Sequence, residues 1–134
     1  MTKEEILAMQ PGRELNALVA GTVLGLKQEV RLRGETNTVT VYTSLVDGMH
    51  SRDEALRYGE PLAYSTDIAA AWRVVEAMRP EYGFWADGDD GYSVEFQHGM
   101  FGMADYRHGR ASAPAAPEAI CKAALLAKLE SGEV

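Results

Sequence analysis

The sequence has one cysteine, no apolar run long enough for a membrane helix and no surplus of positive charge. Each shortage excludes something. Cys121 alone cannot form an internal disulfide, and its Ala/Leu-rich setting marks a buried thiol in a reducing compartment. No apolar stretch approaches the about 20 residues that cross a bilayer. The opening Met-Thr-Lys-Glu-Glu-Ile-Leu has no apolar core or cleavage signature of a secretion signal. The expected location is therefore the cytoplasm. Thirteen Lys and Arg stand against 20 Asp and Glu, a net charge of −7. Binding a DNA or RNA backbone needs clustered cations, so neither is expected as a partner. A small anionic ligand held by a few local donors remains compatible with this balance.

The 134 residues are 46% hydrophobic and 25% charged, the composition of an ordinary globular chain. A chain of this size buries roughly 65–70% of its unfolded surface, enough for a core without disulfides or metals. No internal repeat, low-complexity block or linker divides it, so residues 1–134 read as one domain.

Thr2-Lys3-Glu4-Glu5 is a capping box, which predicts a short helix ending before Pro11. Leu15, Leu18, Val19, Thr22, Val23 and Leu26 follow at helical spacing and predict a second helix facing the core, with Asn16 and Ala20 off that face. Gly25 suits its C-terminal cap. From Gln28 to Asp47 the period becomes two, and Gly34-Glu35-Thr36-Asn37 reads as a turn between two antiparallel strands. Asp47–Glu60 is polar and weakly periodic, a long loop with a helical turn at Ser51–Tyr58.

The most informative stretch is Pro61–Arg79. Ser65, Thr66 and Asp67 are capping residues, and Ile68, Ala71, Trp72, Val75 and Met78 form an apolar stripe that Pro80 terminates. Two aromatic-rich runs then flank Gly88-Asp89-Asp90-Gly91, a hairpin signal. Tyr92, Val94 and Phe96 share one face, and Ser93, Glu95 and Gln97 the other. Met100–His108 is expected as a third strand, followed by an extended Gly109–Pro117. Pro117 and Glu118 open a last helix that is apolar on most sides, Lys122, Lys128 and Glu130 excepted. The order α-α-β-β-α-β-β-β-α predicts an α+β fold with an antiparallel or mixed sheet, a three-layer alpha-beta-alpha sandwich if helices cover both faces.

Three segments carry a family resemblance. Glu4–Met9 with Gly12–Ala20 is similar to the opening of small phage and prophage proteins of the phage ABA-sandwich domain family. Tyr64-Ser65-Thr66-Asp67-Ile68 with Ala71–Glu76 resembles its central motif, and Pro117–Ala127 its final helix. The sequence departs from that pattern at Gly21-Thr22 and over Gln28–Glu60. The resemblance implies an alpha-beta-alpha sandwich and a bacterial host cell. It supplies no catalytic residues.

Several groups invite chemistry. Tyr64, Ser65 and Thr66 precede a helix N-terminus, whose free N–H groups suit a phosphate; capping alone also accounts for them, and Asp67 repels an anion. Trp85, with Tyr82, Phe84 and Tyr92, offers stacking surface if it lies away from the helices, and core if it does not. Arg107, His108 and Arg110, beside Tyr106, form the densest cationic cluster, suited to a phosphate or to an exposed strand end. Arg31 and Arg33 alternate on a strand. Asp87–Gly91 opens like a calcium loop but holds Tyr92 and His98 where Gly and Glu are required, so it reads as a solvated turn. His50, His98 and His108 lack metal-ligand spacing, and Ser65 lacks a nucleophile elbow.

The expectation is a phage-encoded, non-enzymatic binding protein with no cofactor and no metal. It would act as a sponge for a nucleotide-derived immune signal of cyclic oligonucleotide or cyclic ADP-ribose type, and as a homo-oligomer. Its expected ligand contacts are Tyr64, Ser65, Thr66, Trp85, Tyr106, Arg107 and Arg110, with the first three forming a rim. The alternative is an accessory protein that binds a host or phage protein through its acidic surface.

Overall fold

The computed structural model describes residues 1–33, 37–46, 50–53, 62–88, 91–130 and 132, with backbone alone between 27 and 53. The Thr2 Oγ1 accepts the Glu5 N–H at 3.2 Å and starts α1 (Lys3–Ala8), as the capping box predicts. Helix α2 (Arg13–Thr22) ends where Gly25, at φ +66°, reverses the chain, so that the Leu26 N–H reaches the Ala20 carbonyl at 2.9 Å. The left-handed backbone there is open to glycine without a Cβ penalty.

The buried face of α2 is Leu15, Asn16, Val19 and Ala20. The expected stripe is thus rotated, and Asn16 and Ala20 belong to the covered side. Asn16 is drawn in by Ser65, described below.

Strands β1 (Lys27–Arg33), β2 (Asn37–Val46) and β3 (His50–Asp53) form an antiparallel sheet in that order. Lys27 pairs with Thr43 and Arg33 with Asn37, which is the expected hairpin. The third strand corrects the sequence reading, which placed Ser51 and its neighbours in a helical turn of a loop. His50–Asp53 is instead held by backbone pairing with Thr43–Val46, and four polar residues carry no periodicity that announces it. The rest of the expected loop and the 34–36 turn lie outside the described residues, as do the side chains of Arg31, Arg33 and His50.

Asp67 caps α3 (Ile68–Met78), its Oδ1 accepting the Ala69 N–H at 3.0 Å. Here too the covered face is rotated. Ala70, Ala71, Val74, Val75 and Met78 are buried, whereas Ile68 and Trp72 are exposed. The small Ala70 and Ala71 take covered positions, and Trp72 stands at the rim, edge-on to Phe84 at 6.0 Å.

Strands β4 (Gly83–Asp87), β5 (Tyr92–His98) and β6 (Arg107–Ala113) make the second antiparallel sheet, in that order. The β4–β5 hairpin is as expected, with Phe84 opposite Phe96; residues 89 and 90 of its turn lie outside the described residues. The third strand begins later than the sequence suggests. Met100–Tyr106 is a double turn, closed by Met103 N–H to Met100 O (3.0 Å) and Tyr106 N–H to Met103 O (3.1 Å). Gly99 and Gly102, both at positive φ, supply its backbone.

Helix α4 (Ala116–Glu130) is buried almost all round. One side covers Val94, Phe96, Gly109, Ala111 and Ala113 of the sheet; the other meets α1, α2 and α3. The fold is α+β, as expected, and consistent with an alpha-beta-alpha sandwich. Lys122 is buried yet satisfied, its Nζ donating to Leu7 O and Glu118 Oε2, each at 3.0 Å.

Contact between α4 and the sheet is closest at Gly109. A Cβ there would overlap the backbone of Ala123 and Ala127 and lie 2.8 Å from the Leu126 carbonyl carbon. Neither backbone can yield as a flexible side chain would. Gly109→Ala is therefore expected to destabilise the fold by about 3 kcal/mol, the upper end for overpacking, as read from the urea unfolding midpoint.

Candidate functional site

Helix α4 covers one face of β4–β5–β6. Strand alternation sends the other residues to the opposite face, which no element among the described residues covers. Register sets Trp85 opposite Glu95 and Glu95 opposite Arg110, so these three form a row across the sheet. Asp87, Ser93 and Ser112 form the next row.

Trp85 is 55% exposed. Its indole lies back along β4 over Gly83, where a Cβ would come within 2.6 Å of the ring. Glycine at 83 thus permits this ring position. The Arg110 Nε donates to Ser93 Oγ at 3.1 Å, which aims the guanidinium along the face. Trp85, Ala86, Asp87, Ser93, Glu95 and Arg110 line a shallow concavity of about 300 Å³. The surface offers an aromatic plane, one oriented cation and two carboxylates. It suits a ligand with a flat ring, an anionic group and its own hydrogen-bond donors.

Two of the expected contacts, Trp85 and Arg110, are brought together here. The others are placed elsewhere. Tyr64 and Ser65 are fully enclosed, so the expected rim of Tyr64, Ser65 and Thr66 does not form. Ser65 is instead a polar staple. Its N–H and Oγ–H donate to Asn16 Oδ1 at 2.8 and 2.6 Å, and its Oγ accepts the Gly12 N–H at 2.9 Å. Local hydrogen-bond demand from α2 holds it in the core. Thr66 is exposed in the turn before α3, its N–H donating to Ala63 O at 3.2 Å.

Arg107 and Arg110 do not form one cationic cluster. Three residues apart on a strand, they project from opposite faces. Arg107 packs over the Tyr82 ring, 5.6 Å from its centroid. Tyr106 stacks on His108 at 5.5 Å and meets Phe101 edge-on. Asp87, Ser93 and Glu95 were not foreseen as site residues. Alternation alone groups Ser93 with Glu95, but only the strand register adds Trp85 and Arg110.

A second exposed feature is the double turn after β5. Met100, Phe101 and Met103 are all exposed, Phe101 to 87%. The turn is anchored by Gln97 Nε2 donating to Gly99 O at 3.1 Å. The His98 Nδ1 lies 2.7 Å from the Glu81 carbonyl and so carries the proton of that contact.

Among the described residues no three His, Cys, Asp or Glu side chains cluster as metal ligands, and no helix is long and apolar enough to cross a membrane. The Cys121 thiol is pushed up to about 12 by burial and secondarily by Glu118, so it stays protonated. Burial, then Cys121, raises the Tyr64 hydroxyl to about 12 as well.

Of the comparisons with known proteins, the family model described as the phage ABA sandwich domain matches residues 17–125, most of the chain. No curated protein and no solved structure matches.

Two outcomes follow from these placements. Ser65→Ala strands the Gly12 N–H and should cost about 1–3 kcal/mol of stability, measured by urea unfolding, while leaving any binding at Trp85 unchanged. The raised thiol and phenol also make stability depend on pH. A raised folded value means that stability is intact below the unfolded value and lost as pH rises towards the folded one. The unfolding midpoint should stay level to about pH 9 and then fall, by up to about 1.4 kcal/mol per pH unit for each group. Cys121→Ala should make that alkaline decline shallower.

Proposed function

Because the chain belongs to the phage ABA sandwich domain family, we propose that it is a phage-encoded binding protein that sequesters a small nucleotide-derived immune signal on the uncovered face of β4–β5–β6. The observation that carries this reading is the exposed Trp85 indole in one cross-strand row with Arg110, opening onto the same concavity. A base stacks on Trp85, an interaction worth about 1–3 kcal/mol by alanine substitution. The Arg110 guanidinium pairs with a phosphate, and Ser93 keeps it from folding back. Glu95 and Asp87 accept hydrogen bonds from exocyclic amines or ribose hydroxyls.

The ligand class is a cyclic oligonucleotide or a cyclic ADP-ribose isomer, which combines bases and phosphates in one compact molecule. Binding, not turnover, is the activity. The thiol of Cys121 stays protonated inside the core and does not line this concavity, which supports reading it as a binding face. Sequestration acts by mass balance, so affinity matters and chemistry does not.

A second reading is an accessory protein that docks on a host or phage protein. It is favoured by Met100, Phe101 and Met103, which present an ordered apolar tip to solvent.

The test is direct. The protein is incubated with a panel of cyclic dinucleotides and cyclic ADP-ribose isomers, assayed by calorimetry, then heat-denatured so that released ligand can be analysed. Intact ligand is expected. With Trp72→Phe, Trp85 is the sole tryptophan and its fluorescence reports the stacking. Trp85→Ala and Arg110→Ala should each weaken binding by about tenfold or more, given the stacking and charge-assisted terms. Altered ligand would point to an enzyme. No binding across the panel would favour the partner-protein reading.

A further inference from the structure

The two edges of the β4–β5–β6 sheet are unlike. On the β6 edge the His108 N–H donates to Glu130 Oε2 at 2.8 Å, and Glu130 Oε1 lies 3.7 Å from the His108 Nδ1. A carboxylate from the end of α4 thus occupies a backbone donor and places a negative charge on that edge. Guards of this kind stop another strand from adding.

Among the described residues the β4 edge has no such guard. Gly83-Phe84-Trp85-Ala86-Asp87 contains no Lys, Arg or Pro, and four of its five residues are exposed. Among the described residues no strand pairs with its outer edge. Such a row of open N–H and C=O groups on an apolar strand is a template for a further strand.

We propose that β4 pairs antiparallel with β4 of a second copy of the chain, giving a six-stranded sheet across a two-fold axis. The strand is self-complementary in that sense. A register centred on Trp85 sets Phe84 opposite Ala86 and Gly83 opposite Asp87, so all five residues pair. The charge pattern fits a second copy despite the net −7. The only charge on β4, Asp87, faces a glycine, and no like charges stand opposite each other.

The two Trp85 side chains then stand directly opposite one another on the uncovered face, as an adjacent cross-strand pair. Each remains in its own row with Glu95 and Arg110. The concavity of one copy becomes half of a continuous face, with paired indoles at its centre and one Arg110 on each flank. A closed two-fold contact of this type ends at a dimer, because the second edge of each sheet is guarded by Glu130.

The pairing does not depend on the nucleotide reading, and the two fail separately. Light scattering of the full chain at tens of micromolar should give twice the 14.6 kDa chain mass. Ala86→Lys, at an exposed edge position, should give the single-chain mass with an unchanged circular dichroism spectrum. Trp85→Cys should form a disulfide-linked dimer on mild oxidation, whereas Ser112→Cys, on the same face at the far edge, should not. Buried Cys121 is present in both variants and provides the baseline. A wild-type mass of one chain, a dimer that survives Ala86→Lys, or equal cross-linking at 85 and 112 would overturn the proposal. Nucleotide binding by a chain of single mass would overturn the dimer alone; a dimer that binds no nucleotide would leave it standing.

Discussion

The structure depends on one close approach, that of the α4 backbone to β6 at Gly109. With no side chain at 109, the helix comes down until peptide groups meet around Ala123, Leu126 and Ala127. Several residues near the contact are small as well, Ala111 and Ala113 on the strand and Ala119, Ala123, Ala124 and Ala127 on the helix, while Phe96 stands beside Gly109 on β5. Large side chains would hold the layers near their usual spacing and leave gaps beside the glycine. A helix so deeply placed must also be apolar behind, where α1, α2 and α3 cover it. The one cation on its buried surface, Lys122, is tolerated because Leu7 O and Glu118 accept from it.

The second constraint is polar. Gly12, Asn16 and Ser65 are far apart in sequence, and their hydrogen bonds tie the entry to α3 onto the first turns of α2. Apolar packing tolerates a helix turned by some tens of degrees, whereas two short bonds to one amide oxygen do not. This explains why α2 buries Asn16 and Ala20, positions that its apolar spacing leaves outside. A polar residue that faces the core specifies rotation; the leucines beside it supply burial.

Signals whose chemistry is local were legible in the sequence. Thr2 and Asp67 cap helices because each oxygen reaches an N–H two or three residues on. The β4–β5 hairpin follows from aromatic alternation around a Gly/Asp turn. What failed depends on partners distant in sequence. Apolar spacing assigns Ile68 and Trp72 to the core face of α3, but the covered positions beside Ala71 are taken by Ala70 and Val74, a rotation set by packing with residues distant in sequence. Strand β6 starts at Arg107 because Gly109, Ala111 and Ala113 must meet α4, a demand invisible until the helix is placed. The site shows the same division. Trp85 and Arg110 stood out singly as residue types, yet their association lies in the register of three strands. Ser65 has the chemistry of a binding rim and spends it inside the fold, and Tyr64 is enclosed beside it with no hydrogen-bond partner for its hydroxyl among the described residues.

The consequence for function lies in how one sheet divides its labour. Period-two alternation puts the small Gly109, Ala111 and Ala113 of β6 under α4, beside Val94 and Phe96 of β5, and leaves the size of the outer residues unconstrained by that helix. Bulk and charge accordingly collect outside, as Trp85, Glu95 and Arg110. The acidic character of the chain shapes what such a face can hold. A long polyanion would meet the field of net −7 along its whole length, while a compact ligand meets mainly what lies within a Debye length of about 8 Å. Within that reach Arg110 offsets one of the two carboxylates, and the indole contributes attraction that salt does not screen. Under the proposed function, affinity on this face would come from ring area and directed hydrogen bonds more than from net charge, which would favour a compact, base-containing molecule over a nucleic-acid strand.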